Sequence, residues 1–183
     1  MSKKIREQIE RVKNLKLLNE KLILGSKERV HLSKKPISSL ERVKYKDVHG
    51  KPGGLWYGFG DNWINFKKYG VTWNAGDDTL SSIMGDEIYI YKLYLDFTNI
   101  LVLDSEDSIK EFTNKYSVNN NYPQNISWEK VGENYKGIEF PNYEQLGVRN
   151  WYEYSKKYMW LYNIDVNSGC VWDSSAITKI RLL

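Results

Sequence analysis

The sequence predicts an α+β domain whose strands pair mainly antiparallel. Three observations lead there. Helical periodicity is confined to an N-terminal stripe and a central segment, without the strand-helix alternation of a doubly wound sheet. Short apolar, aromatic runs follow turn residues, as in Lys51-Pro52-Gly53-Gly54-Leu55-Trp56-Tyr57-Gly58 and Tyr135-Lys136-Gly137-Ile138-Glu139-Phe140. Among 183 residues, 14 Tyr, 7 Trp and 5 Phe supply side chains that strands and flat binding surfaces favour. The length suits a single domain over 1–183 with a real core.

In chain order, residues 3–24 form the first expected helix. Ile5, Ile9, Val12 and Leu15 recur at spacings of three and four, Leu18, Leu22 and Leu24 extend the stripe, and Gly25 stops it. Its basic residues form either a solvated face or a phosphate contact surface. Residues 28–33 read as a short strand broken by Pro36, and 34–51 are mostly polar. The Leu55 strand follows. Residues 60–86, punctuated by glycines, read as a long loop in which Trp63 and Trp73 fold back as anchors. Ile88–Asp96 is the densest strand and 100–103 another. Asp104 or Ser105 caps a helix to about Tyr116, with Ile109 and Phe112 inward. Ser127 caps a short helix holding Trp128 and Val131. The Ile138 strand comes next, then a partly strand-like aromatic segment over 151–165, and final strands at 170–172 and 177–182.

Composition narrows the function. A single cysteine, Cys170, forbids an intramolecular disulfide, and with only two histidines no Cys/His zinc cluster or other metal site is expected. A charged N-terminus argues against a secretory signal, and no run of eighteen apolar residues predicts a membrane span, so the cytosol is the expected compartment. The net charge of +4 permits a nucleic-acid or anionic partner without demanding one. The common glycine loops for phosphate and dinucleotide binding are absent, as is a Gly-x-Ser-x-Gly elbow.

Candidate chemistry falls on three strands. His31 both donates and accepts as a neutral imidazole, and so suits a ribose hydroxyl; the alternative is a partly buried structural histidine. Trp56 and Tyr57 point to opposite faces of their strand, so only one can cover a pyridinium ring, an interaction of roughly 0.5–2 kcal/mol; otherwise they pack the core. Glu139 alternates with Ile138 and Phe140 and faces either solvent or a cleft. Cys170 has no histidine partner in sequence and reads as an inert buried thiol.

Together these residues resemble the ADP-ribosyltransferase superfamily over roughly 28–182. The likeness is nearest to small phage-type and virus-type members, toxin-like enzymes with a Lys-Pro-x-Gly-Leu-Trp segment, a Tyr-x-Gly-Ile-Glu segment and a terminal run like Asp165-Val166-Asn167-Ser168-Gly169-Cys170-Val171-Trp172. The resemblance implies a split β-sandwich of two antiparallel sheets with NAD bound between them as substrate. It assigns His31 to a ribose hydroxyl on the adenosine or the nicotinamide side, Ser33 to cofactor binding, Trp56 or Tyr57 to nicotinamide stacking, and Glu139 to the role of catalytic acidic residue. Glu139 would hold the ribose 2′-hydroxyl and face the oxocarbenium-like transition state. The nicotinamide leaves neutral, so its departure needs no general acid.

Two positions depart from the family pattern. Gly58 follows Tyr57 where a small polar residue is usual. Gly137 occupies the place of the upstream acid that activates the acceptor in arginine-modifying relatives, which argues against arginine as acceptor. Mild basicity and the aromatics tilt the expected acceptor toward RNA or DNA over protein, and an antitoxin or inhibitor partner is compatible with the resemblance. The rival expectations are an NAD glycohydrolase and a non-catalytic single-stranded nucleic-acid-binding module with bases stacked on Trp and Tyr.

Overall fold

The computed structural model describes residues 24–33, 35–38, 40, 47–48, 51–64, 89–118, 125–146, 158–164 and 166–183. Almost all of the expected N-terminal helix lies outside these residues, as do His49, Trp73, most of the long loop, 151–157 and Asp165. The strands are β1 (Arg29–Ser33), β2 (Asp47–Val48), β3 (Lys51–Pro52), β4 (Leu55–Phe59), β5 (Tyr89–Leu95), β6 (Ile100–Val102), β7 (Gly137–Phe140), β8 (Ser168–Val171) and β9 (Ile177–Leu182). Two helices, α1 (Glu106–Tyr116) and α2 (Trp128–Asn134), lie between β6 and β7.

The architecture is α+β. Seven strands share one sheet in the order β6-β7-β8-β4-β1-β5-β9, and β2 and β3 form a separate ribbon. Pairing is antiparallel except for β6 with β7. That parallel pair is the one joined through α1 and α2, because parallel neighbours need a long crossover.

The sheet nearly divides at its centre. β1 pairs with β5 over five residues, whereas β1 meets β4 only at Arg29–Phe59 and Val30–Gly58. Beyond those pairs the strands part. One half is β6, β7, β8 and β4, and the other is β1, β5 and β9. A small apolar cluster takes Tyr57, Leu55 and Val171 from the first half and Leu93, Leu95, Ile177 and Ile180 from the second. The halves therefore close over a shared inner layer.

The larger core lies on the other face of the first half. Ile109, Phe112, Trp128, Val131, Ile138, Phe140, Trp160 and Cys170 pack together there, with Trp56 against them. Ser105 caps α1 in a reciprocal box with Ser108, which satisfies two backbone donors at that end. Ile109, Phe112 and Tyr116 repeat at helical spacing and are buried. The partly strand-like expectation for 151–165 gives way over Met159–Asn163 to a 3-10 turn. Tertiary packing decides this: the Trp160 indole donates to Thr113 Oγ1 at 3.0 Å and packs at tilted and edge-on angles among Phe112, Trp128 and Phe140. The Asp165–Trp172 run supplies β8, a central strand between β7 and β4.

Close approach fixes two glycines. A Cβ at Gly58 would meet the Trp63 side chain at 2.7–2.9 Å, so Trp63 folds back as expected and fills the space beside β4. A Cβ at Gly169 would overlap Tyr57 Cζ and Cε2, at 2.5 and 2.7 Å. Gly169→Ala must push the buried Tyr57 ring aside, at a cost of roughly 1–3 kcal/mol. We expect its thermal midpoint, followed by circular dichroism, to fall by about 2–4 °C per kcal/mol. An unchanged midpoint would show that the ring does not rest on Gly169.

Candidate functional site

Glu139 lies on β7 beside Gly169 of β8, which lies beside Tyr57 of β4. These positions share the inner face, since their neighbours Ile138, Cys170 and Trp56 join the helix-side core. Gly169 carries no side chain, so the Tyr57 ring crosses over it and its hydroxyl donates to Glu139 Oε1 at 2.8 Å. Arg29 arrives from β1: its Nε donates to Glu139 Oε1 at 2.5 Å and its second terminal nitrogen to Oε2 at 3.0 Å. The residue Glu139 is 3% exposed and Tyr57 is fully buried. The Arg29 guanidinium lies 4.3 Å from the Phe97 ring centroid and 5.3 Å from that of Phe59.

The electrostatics follow from this closure. Burial pushes the Tyr57 phenol well above its usual pKa, and the Glu139 charge adds to the rise, so Tyr57 is a neutral donor. Burial opposes the charge on Arg29, but hydrogen bonding to Glu139 and attraction to its charge outweigh that, and the Arg29 pKa rises. A carboxylate has about four acceptor sites; among the described residues three are filled, two on Oε1 and one on Oε2.

His31 lies on the same strand face as Arg29. Its Nδ1 is 2.6 Å from the Trp56 carbonyl oxygen, across the gap where β1 and β4 part. A carbonyl only accepts, so Nδ1 carries the proton and Nε2 of the neutral ring is left as an acceptor. Burial lowers the His31 pKa below 6.5, against the smaller raising effect of that hydrogen bond. A cavity of about 350 Å³ opens at this gap, lined by His31, Ser33, Lys35, Leu55, Ser174 and Ile177 among others. Ser33 Oγ donates to the Lys35 carbonyl at 2.6 Å and holds the turn at the cavity rim.

The sequence-derived site residues thus fall into two groups. Glu139 and Tyr57 are brought into contact, and His31 and Ser33 line the cavity. Trp56 is joined to His31 through its carbonyl alone. Its ring lies on the opposite face, where its indole donates to the Pro52 carbonyl at 3.2 Å and Lys51 sits 5.5 Å from its centroid. Tyr57 has no exposed surface for stacking. Cys170 is buried, its thiol 3.8 Å from the Pro52 carbonyl, and burial raises its pKa well above the usual thiol range. Sequence reasoning passed over Arg29, although strand alternation from His31 places Arg29, His31 and Ser33 on one face.

Among the described residues, no group of three or more His, Cys, Asp or Glu is placed to hold a metal, and no helix is long and apolar enough to cross a membrane. No family model, curated protein or solved structure matches the chain.

Removing one member of a buried pair strands the other's charge. We expect Arg29→Met to cost about 3 kcal/mol in urea unfolding, and Glu139→Gln to recover much of that loss in the double variant. A single Arg29→Met loss no larger than a surface substitution would contradict the pairing. His31 gives a pH signature. Its folded pKa is depressed, so between the folded value and 6.5 the unfolded chain binds more protons. Its contribution is present above 6.5 and is lost as pH falls through the folded value. In His31→Asn, stability should fall less steeply over that acid range, and identical slopes would exclude the buried neutral imidazole.

Proposed function

We propose that this chain is an NAD-dependent mono-ADP-ribosyltransferase of split β-sandwich type. The reading is supported by one observation above others: β1 and β4 part after two residue pairs, His31 lines the cavity that opens there, and Arg29, two residues earlier on the same face of β1, holds the buried Glu139, which does not itself line that cavity. The cavity is at the small end of ligand sites, which run to about 300–1,000 Å³. It suits the nicotinamide riboside half of NAD, with the remainder across the mouth near Lys35. His31 Nε2 accepts from a ribose hydroxyl. Glu139 accepts the 2′-hydroxyl at Oε2, which takes one hydrogen bond among the described residues, and places fixed negative charge against the oxocarbenium-like centre. Tyr57 and Arg29 hold the carboxylate in orientation.

The acceptor is proposed to be a nucleic-acid base rather than arginine. A Cβ at Gly137 would meet the Cys170 carbonyl oxygen at 2.7 Å and Ile100 Cδ1 at 2.8 Å, so β7 has no room there for a second acid. A second reading is favoured by the burial of Glu139: the carboxylate serves only to tie the strands, and the chain binds single-stranded nucleic acid without catalysis.

The test is incubation of the chain with labelled NAD and a cell extract, followed by nuclease or protease. We expect nuclease-sensitive label, and loss of label with Glu139→Gln, which keeps the side-chain shape. Protease-sensitive label would move the acceptor to protein. Nicotinamide release without labelled product would define a glycohydrolase. Wild-type rates in Glu139→Gln would remove Glu139 from the chemistry, and no nicotinamide release at all would favour the non-catalytic reading.

A further inference from the structure

The outer face of the β5–β9 pair carries no part of the site described above. Leu93 and Ile180 point inward to the small apolar cluster. Lys92 and Tyr94 therefore point outward from β5, opposite Arg181 and Lys179 of β9. Lys92 Nζ lies 5.4 Å from the Tyr94 ring centroid and Lys179 Nζ lies 5.6 Å from it. Lys179 and Arg181 are exposed, whereas Lys92 and Tyr94 are half-buried. Glu28 pairs with Lys92, and among the described residues no ion pair joins Lys179 or Arg181.

We infer that this face is a docking surface for single-stranded nucleic acid. Lys92 and Arg181 stand directly opposite each other, a like-charge arrangement that weakens a strand pair. Charge on an edge strand does guard against edge-to-edge pairing. That role needs neither an aromatic ring beside two ammonium groups nor a cation on the inner neighbour β5. A flexible polyanion with stacking bases matches the whole array. Its phosphates neutralise Lys179 and Arg181, Lys92 being paired with Glu28, and a base lies on Tyr94. Duplex offers no unstacked base to Tyr94, so the surface favours single strands. Binding here needs no NAD, so its success or failure is separable from the transferase reading.

The test uses the full chain and fluorescein-labelled single-stranded oligonucleotides, RNA and DNA in separate titrations, followed by fluorescence anisotropy without NAD. We expect Lys179→Gln with Arg181→Gln to weaken binding roughly tenfold at low salt. It should also flatten the log–log salt dependence by about 1.4, the value for two lost phosphate contacts on a single strand. Tyr94→Leu should weaken binding several-fold with the salt slope unchanged. Thermal unfolding checks that each variant folds, and Lys179→Arg with Arg181→Lys keeps charge and should keep affinity. Binding by RNA alone or DNA alone identifies the source. Failure of the wild type to bind either strand, or wild-type affinity in the charge-removed variant, would overturn the proposal. So would equal affinity of wild type and Tyr94→Leu for heparin and for both oligonucleotides, because the surface would then attract any polyanion.

Discussion

Contact between Arg29 and Glu139 constrains everything around it. Three strand steps separate β1 from β7 in the sheet order. Neighbouring strands lie about 4.8 Å apart, so a flat sheet would hold these backbones roughly 14 Å from each other. Two side chains cannot bridge that span and still make the contacts at 2.5 and 3.0 Å seen here. The sheet must curl, and the inner layer of Tyr57, Val171, Leu93 and Ile180 fills the concave side. A buried ion pair of this kind adds little net stability, because desolvation offsets attraction. Its effect is on geometry: a bidentate guanidinium accepts a carboxylate in few orientations. Tyr57 removes more of that freedom through a third hydrogen bond.

The same constraint explains where the sheet opens. In a continued β1–β4 ladder the Trp56 carbonyl would face a backbone amide of β1. Instead it accepts from the His31 imidazole, which holds the two strands apart by the width of a ring. Satisfaction of a buried carbonyl is obligatory, so His31 is a structural wedge whatever else it binds. The wedge leaves His31 on a cavity wall, next to a turn that Ser33 pins to Lys35. Arg29 draws the halves together at one end of β1 and His31 parts them two residues later. The alternation of a single five-residue strand thus sets both the closed and the open side of the site.

Much of this was legible in the residues, for identifiable reasons. Ile177–Leu182 appears as expected, and Glu106–Tyr116 follows its Ser105 cap, because local periodicity and a capping hydroxyl report on the chain itself. Glu139 was legible as a lone acid between apolar neighbours. Arg29 was not, since strand alternation gives its face but nothing local gives a partner 110 residues away. The orientation of Tyr57 was equally hidden: it depends on Gly169, a residue on another strand that lets the ring lie flat. The 3-10 turn at Met159–Asn163 was missed because aromatic residues favour strands until a core offers them better contacts.

On the proposed reading, Glu139 serves both the fold and the chemistry, and the two roles pull against each other. An ionised carboxylate aids an oxocarbenium centre through its field, and a guanidinium on the same oxygens cancels part of that field at a distance. What survives is short-range and directional, concentrated at Oε2, which takes one hydrogen bond among the described residues. A site built this way acts on a positive centre held in direct contact and barely attracts cations from afar. That selects for a substrate delivered by other contacts, such as a ribose held at His31. The buried, neutral Tyr57 phenol reinforces the arrangement, because it holds the carboxylate without bringing a further charge. Tight burial of Glu139 is therefore compatible with catalysis only where the cleft positions the substrate first, which is the work left to β1, its histidine and the rim that follows it.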